Sequence, residues 1–570
     1  MQRNDKITMV SIPPISTAVL LINLTASGLS AQVIPTSGDF DRQIQTSSID
    51  NNFASTALPD LQKVVIEPPL TALPGGPTIV VSRIAIVGNR ALSLDVLTPV
   101  ISSAFGTRMT LADLEELALS VTRFYRTKGY FVARAYIPAQ EVVDGVVTFR
   151  IVEGNYGDFI LENSSLVKDK IAQSILDDVK VYDIVSLDTL ERAMLIANDT
   201  PGVKVVRADV MPGEAIGTSD FIVETVATKK YFGSLELDNF GSVYTGKKRL
   251  SFNAGVNSPT GNGDQLSLSG MISETSGISN LRLAYSTLLQ PNGLRGEFAL
   301  AQTTYKLGST FSDLNAVGST RSIDASFTYP IKRTRNRSID VRWGLNSRNL
   351  NDEIRSSGDY ASKHTNSMDV GLSFRDEGYL WGKFGLTQAD ASITLGSLNL
   401  DEKDADGARA QGDYAKLNMN ASRVMKLSND ISATVQLRFQ HSIGNKNLDS
   451  SERMGVSGSG GVMAYPLGEL SGTNAVFARI EFKEPLPTIA ELPNFSHDWA
   501  VFAEWGRAGE ANPVNSSDEM RSISDIGLSW SAKWNKTIAK VYLVHRLEDA
   551  NPITEPASRT GVVAQVGWVF

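Results

Sequence analysis

Few residues in this chain stand at spacings that could do chemistry. Glu402, Asp404, Asp406, Gly407 and Asp413 fall near the pattern of a calcium loop, where carboxylates at alternate positions surround a hard cation. Glutamate stands first and aspartate last, the reverse of what such a loop uses, so the run reads as a solvated acidic connector. Gly458-Ser459-Gly460-Gly461 has the backbone freedom of a phosphate cradle but lacks the lysine and the strand-to-helix setting of one, and reads as a tightly bending loop tip. Asp113 and Glu116 fit a helix cap and a solvated helix face. The four histidines, His364, His441, His497 and His545, lie far apart, and the absence of cysteine removes thiolate and disulfide chemistry. No catalytic centre, cofactor site or metal site is expected, and the expected function is not an enzyme's.

What the chain has in abundance is alternation. From Tyr231 to Phe570 about sixteen short runs carry apolar residues at every second position, the period of a strand whose two faces meet different surroundings. Ile339, Val341, Trp343 and Leu345 alternate with Asp340 and Arg342, and Val476, Ala478, Ile480 and Phe482 alternate with Arg479 and Glu481. The last run places Val562, Ala564, Val566, Trp568 and Phe570 on one face. A soluble sandwich would turn such faces inward, whereas a membrane barrel turns them to lipid around a wet lumen. The connectors favour the barrel: they are long on one side, longest over residues 440–474, and mostly short on the other, with an even strand number. Residues 229–570 are thus expected to form a membrane β-barrel of about 16 antiparallel strands.

Composition agrees with an envelope protein. A net charge of -8 and a pI near 5.3 speak against nucleic acid as a partner. Beyond the N-terminus no run approaches the ~18 apolar residues of a membrane-spanning helix, a test that a barrel evades because only alternate residues face lipid. Residues 1–31 have the form of a secretory signal, with Arg3 and Lys6 before an apolar stretch from Ile15 to Leu24 and small residues leading to Ala31. Residues 32–77 read as a polar, then proline-rich linker, with a weak helix signal over Asp60 to Ile66.

Two α+β units are expected between linker and barrel. In the first, residues 78–154, a strand from Ile79 to Val87 precedes a helix capped by Ser93 and a second helix capped by Thr110 and ended by Gly129. Strands Tyr130 to Ile137 and Val146 to Val152 complete it. The second, residues 155–228, repeats the order: strand Phe159 to Leu161, helix Leu166 to Leu176, a helix capped by Ser186, then strands Val203 to Val210 and Asp220 to Val226.

The run GYFVARAYIPAQEVVDGVVTFRIVEG, Gly129 to Gly154, resembles the first POTRA domain of two-partner secretion transporters. These are the outer-membrane half of the haemolysin and filamentous-adhesin export systems, within the wider Omp85 superfamily. The resemblance continues through the second unit, as a second POTRA domain, and into the barrel at LDNFGSVYTG, Leu237 to Gly246. It implies sixteen strands, two periplasmic POTRA domains and an N-terminal plug helix. It also implies a monomer in the outer membrane of a Gram-negative bacterium that exports, and can thereby activate, a large secreted exoprotein. The barrel-assembly machinery and outer-membrane lipid are its other implied partners. A barrel-assembly factor of the same superfamily and a diffusion porin are the alternatives.

The resemblance further implies a set of site residues. The 440–474 connector matches the family's sixth outer loop, which folds into the lumen, and its tip motif falls on Val462, Met463, Ala464 and Tyr465. The family's arginine is here Met463. Its partner, an acid on the lumen wall, corresponds to Glu504 in the run Phe502, Glu504, Gly506, and Arg453, Arg479 and Arg438 are the cations that could serve Glu504 instead. With no arginine at the tip, Met463→Arg is expected to tighten the loop and lower the resting conductance. Tyr130, Phe131, Arg134, Tyr136 and Gln140 are the implied substrate-recognition residues of the first POTRA domain, and Trp568 with Phe570 the implied C-terminal assembly signal.

Overall fold

The computed structural model describes residues 34–40, 75–401 and 408–570. The expected signal segment, most of the linker including residues 60–66, and the acidic residues 402–407 lie outside the described residues.

All sixteen alternating runs are strands of one closed antiparallel barrel. In chain order they are β1 (Tyr231–Asp238), β2 (Arg249–Asn257), β3 (Gln265–Ser273), β4 (Ile278–Leu288), β5 (Arg295–Lys306), β6 (Ala316–Arg333), β7 (Arg337–Ile354) and β8 (Asp359–Leu380). Then come β9 (Lys383–Leu400), β10 (Gly412–Lys426), β11 (Ser432–Ile443), β12 (Asn474–Pro485), β13 (Phe495–Gly509), β14 (Arg521–Trp534), β15 (Thr537–Arg546) and β16 (Thr560–Val569). β16 closes on β1 by pairing Gln565–Val569 with Asp238–Ser234. Phe570 exchanges both backbone bonds with Gly233, whose missing Cβ leaves room for the Phe570 ring beside Trp568.

The apolar faces point outward. Leu283, Leu300 and Ile323 stand side by side across β4, β5 and β6 and are 44, 45 and 53% exposed, while Arg282, Glu297, Asp324 and Asn346 face the lumen. An exposed apolar belt of this extent is a lipid-facing surface.

The strands differ in length. β1 has 8 residues, whereas β8 has 22 and β6, β7 and β9 have 18 each. Stretches of the long strands were expected to be loops, because their outward face above the belt is polar. One outward row there is Arg321, Asn349, His364 and Asn399, which continues the hydrogen-bonded ladder without apolar alternation. Backbone pairing needs no lipid, so strands outlast the pattern that reveals them.

The first α+β unit holds strands Arg83–Val87, Arg134–Tyr136 and Val146–Val152 and helices Leu94–Ile101 and Leu111–Thr127. Its sheet has Val146–Val152 in the middle, parallel to Arg83–Val87 and antiparallel to Arg134–Tyr136. Thr110 forms a capping box with Asp113, whose carboxyl the Thr110 amide and hydroxyl hold below the usual carboxylate range. Two expectations shift. Ser93 occupies the N-cap without a side-chain bond, and the strand from Ile79 is interrupted at Val81–Ser82, so that Ile79–Val80 pairs separately with Arg108–Met109.

The second unit repeats this topology with strands Asn155–Ser164, Val203–Pro212 and Thr218–Ala227, the last in the middle, and helices Asp169–Asp177 and Leu187–Asn198. Ser186 accepts from the Thr189 amide, as its cap position predicts. This unit is bolted to the inner turns of the barrel. Arg333 grips Asp199 through two bonds of 2.7 and 2.8 Å, Arg335 meets Glu191 at 2.5 Å, and Arg192 donates to the Asn292 and Pro330 carbonyls.

Candidate functional site

Residues 444–473, between β11 and β12, fold back into the lumen and meet the wall at several places, their tip and their base among them. The first is at the tip. Strand register lines up four lumen-facing charges in one row across β12 to β15: Arg479, Glu504, Asp525 and Arg546. Arg479 contacts Glu504 at 2.5 Å, pairs also with Glu481, and lies 4.2 Å from the Phe502 ring centroid. Of the three cations open to Glu504, Arg479 is the one beside it; Arg453 pairs with Glu510, and Arg438 donates to the Gly460 carbonyl.

The loop tip completes the row with its main chain. The Met463 amide donates to Glu504 at 2.8 Å and the Ala464 amide to Asp525 at 2.7 Å. Tyr465 donates its hydroxyl to Glu548 at 2.6 Å, with its ring under the Arg546 guanidinium. The Met463 side chain packs beside Ala464, Phe502 and Val544. Gly506 explains the close approach: a Cβ there would lie 2.9 Å from that of Val456. Phe502 covers Gly527, where a Cβ would collide with the ring. The expected tip and wall residues thus meet, with the cation on the wall instead of the loop.

The second place is the base of the loop, which sequence reasoning missed. Glu452 meets Arg348 of β7 at 3.0 Å and Lys416 of β10 at 2.7 Å, and Asp449 meets Lys363 of β8 at 3.0 Å, all largely buried. Lumen-facing parity of Arg348, Lys363 and Lys416 was the available signal. Residues 34–40 share this region. Ser37 bonds Asp352 through its amide and hydroxyl, Thr36 meets Ser450, Phe40 packs on Tyr305, and a Cβ at Gly38 would collide with Ser450 and Ser451.

The recognition residues expected in the first unit are mostly committed internally. Phe131 is buried in the core of the second unit, joining the two together with a bond from the Leu187 amide to the Gly129 carbonyl. Gln140 bonds both backbone groups of Thr148, and Tyr130 packs edge-on against buried Tyr125. Arg134 is exposed and Tyr136 half-buried.

Sheet edges are the other surface with binding capacity. In the first unit the Arg134–Tyr136 edge is closed, because the Ala135 amide donates to buried Thr122. In the second, the Val205 amide donates to Asn198 beside a bulge, and the Phe159 carbonyl accepts from Gln173 beside another. The Arg83 amide donates to Gly145, which turns the backbone of Ile84 and Ile86 outward, and among the described residues nothing bonds to those two amides.

Comparison with known proteins decides the family. Residues 217–529 match the family described as haemolysin secretion/activation protein ShlB/FhaC/HecB, and residues 79–154 match the ShlB-type POTRA domain. The chain belongs to the ShlB/FhaC/HecB family. Among curated relatives, the heme/hemopexin transporter protein HuxB of Haemophilus influenzae is 27% identical over 454 residues, covering 78% of this chain and 79% of that one. The outer membrane transporter CdiB of Dickeya dadantii is 22% identical over 557 residues, 94% of each chain. The solved CdiB of Escherichia coli shares the fold at a TM-score of 0.77 and 16% identity, covering 95% of this chain and all of that one. This ShlB/FhaC/HecB protein is therefore an outer-membrane transporter of the two-partner secretion type, with its POTRA region in the periplasm.

Proposed function

We propose that this transporter exports one large secreted protein, which it receives unfolded in the periplasm and passes through the barrel lumen without any catalytic step of its own. The second α+β unit is a second POTRA domain on this reading, supported by its repeat of the first unit's topology. The observation that carries the reading is the lumen itself. It is lined by charge and occupied by a folded-back loop held through polar contacts, and among the described residues the first unit offers an uncapped strand edge at Arg83–Val87. The cargo adds as a strand along Arg83–Val87, where main-chain bonds supply affinity independent of exact sequence.

The natural absence of cysteine makes this testable in the intact protein. Single-cysteine variants Val87→Cys and Arg134→Cys are placed in cells that also express a candidate large secreted protein, any encoded beside this one being tried first, and periplasmic crosslinks to it are scored. Crosslinking at position 87 well above position 134, with loss of that protein from the medium when the transporter is deleted, is the expected result. Equal crosslinking would remove the edge assignment, and unchanged secretion on deletion would remove the export reading.

A further inference from the structure

We propose that Arg479 is the positioning residue of the closed state: it is the cation of the loop-tip latch, supplied by the barrel wall, and the latch needs one cation near Glu504 without regard to which segment carries it. Three observations lead there. Glu504 is fully buried at its side chain, so its charge has to be met within the site. Its oxygens are met from different elements, Oε1 by the Arg479 guanidinium and Oε2 by the Met463 amide, with the Asp525 carboxyl beside it in the row. Arg479 is itself fixed from three sides, by Glu504, Glu481 and the face of Phe502, which is an arrangement for holding a carboxylate in place.

The loop reads this carboxylate only through its backbone. Residue 463 therefore carries no charge requirement as long as Arg479 is present, and the Met463 side chain is free to pack on Ala464 and Phe502. This changes the expectation drawn from sequence for Met463→Arg. In the natural chain the Glu504 oxygens are already engaged, so an arginine at 463 has little to add. It gains a role when Arg479 is gone.

The test is a charge-relocation cycle in the full-length protein, read as open probability in planar bilayers. Thiol labelling of a single cysteine at Ser459 reports loop position in each variant. Arg479→Met raises open probability and labelling about tenfold or more, since it strands Glu504 beside Asp525. Arg479→Met with Met463→Arg returns both to within about twofold of the natural protein, and Arg479→Lys stays near the natural value. Met463→Arg alone changes either by less than about twofold. Heat-modifiable mobility on electrophoresis verifies that each barrel is folded, and Arg479→Gln, alone and with Met463→Arg, carries the comparison if Arg479→Met does not fold. A silent Arg479→Met, or a Met463→Arg effect of equal size in both backgrounds, overturns the proposal. Export of the secreted partner, assayed separately, bears on the transport reading and not on the latch.

Discussion

At its tip the lumen loop meets β12 to β15 through two backbone amides set on a row of carboxylates, whereas at its base it meets β7, β8 and β10 through its own acidic side chains. Both contacts are buried and both join loop to wall. They differ in which side supplies the information. At the base a substitution in the loop removes a charge and leaves its partners stranded. At the tip residues 463 and 464 contribute what every residue except proline has, so these two positions can drift while the wall stays specified. A methionine can therefore stand at the tip of this loop.

The sharpest way to break the comparison is at the base. Glu452→Ala leaves Arg348 and Lys416 buried without their carboxylate, a loss of about 3–5 kcal/mol that should free the loop base and give the largest rise in resting conductance of any loop substitution. Gly506→Ala tests the wall side of the tip. Its Cβ meets Val456, and overpacking of up to about 3 kcal/mol should displace the tip and raise thiol labelling at Ser459. Tyr465→Phe removes one bond to a carboxylate and keeps the ring under Arg546, for a loss of about 2 kcal/mol seen as more frequent brief openings. Met463→Ala keeps both amides and should cost about 1 kcal/mol or less, with conductance nearly unchanged. If Met463→Ala opens the pore as far as Glu452→Ala does, the tip is not read through its backbone.

Much of this was legible in the sequence, for physical reasons. Every barrel strand was visible because lipid on one side and water on the other impose a period of two. The ends of β6 to β9 were not, because Arg321, Asn349 and His364 face water where lipid has ended. Alternation put Arg438, Arg479 and Glu504 on the lumen face but could not choose between cations. That choice depends on register, which sets Arg479 directly opposite Glu504. Phe131 stood among the recognition residues that a recognisable motif implied, and it is the joint between two units, since a motif does not say which neighbour buries its side chain. Glu452 carried no sequence signal, as its partners lie on strands closed against it only by the barrel.

The uneven rim has a consequence for what happens outside the cell. At about 3.4 Å per residue, a strand the length of β8 is roughly 75 Å long against about 27 Å for β1, and part of the difference is the paired stretch of β7 and β8 beyond the lipid-facing run, so the outer rim stands higher there than at β1. A polypeptide emerging there has a sheltered side and an open side. If its first turns of structure form there, they would do so in the lee of a polar sheet, and the nascent fold would have a direction in which to grow.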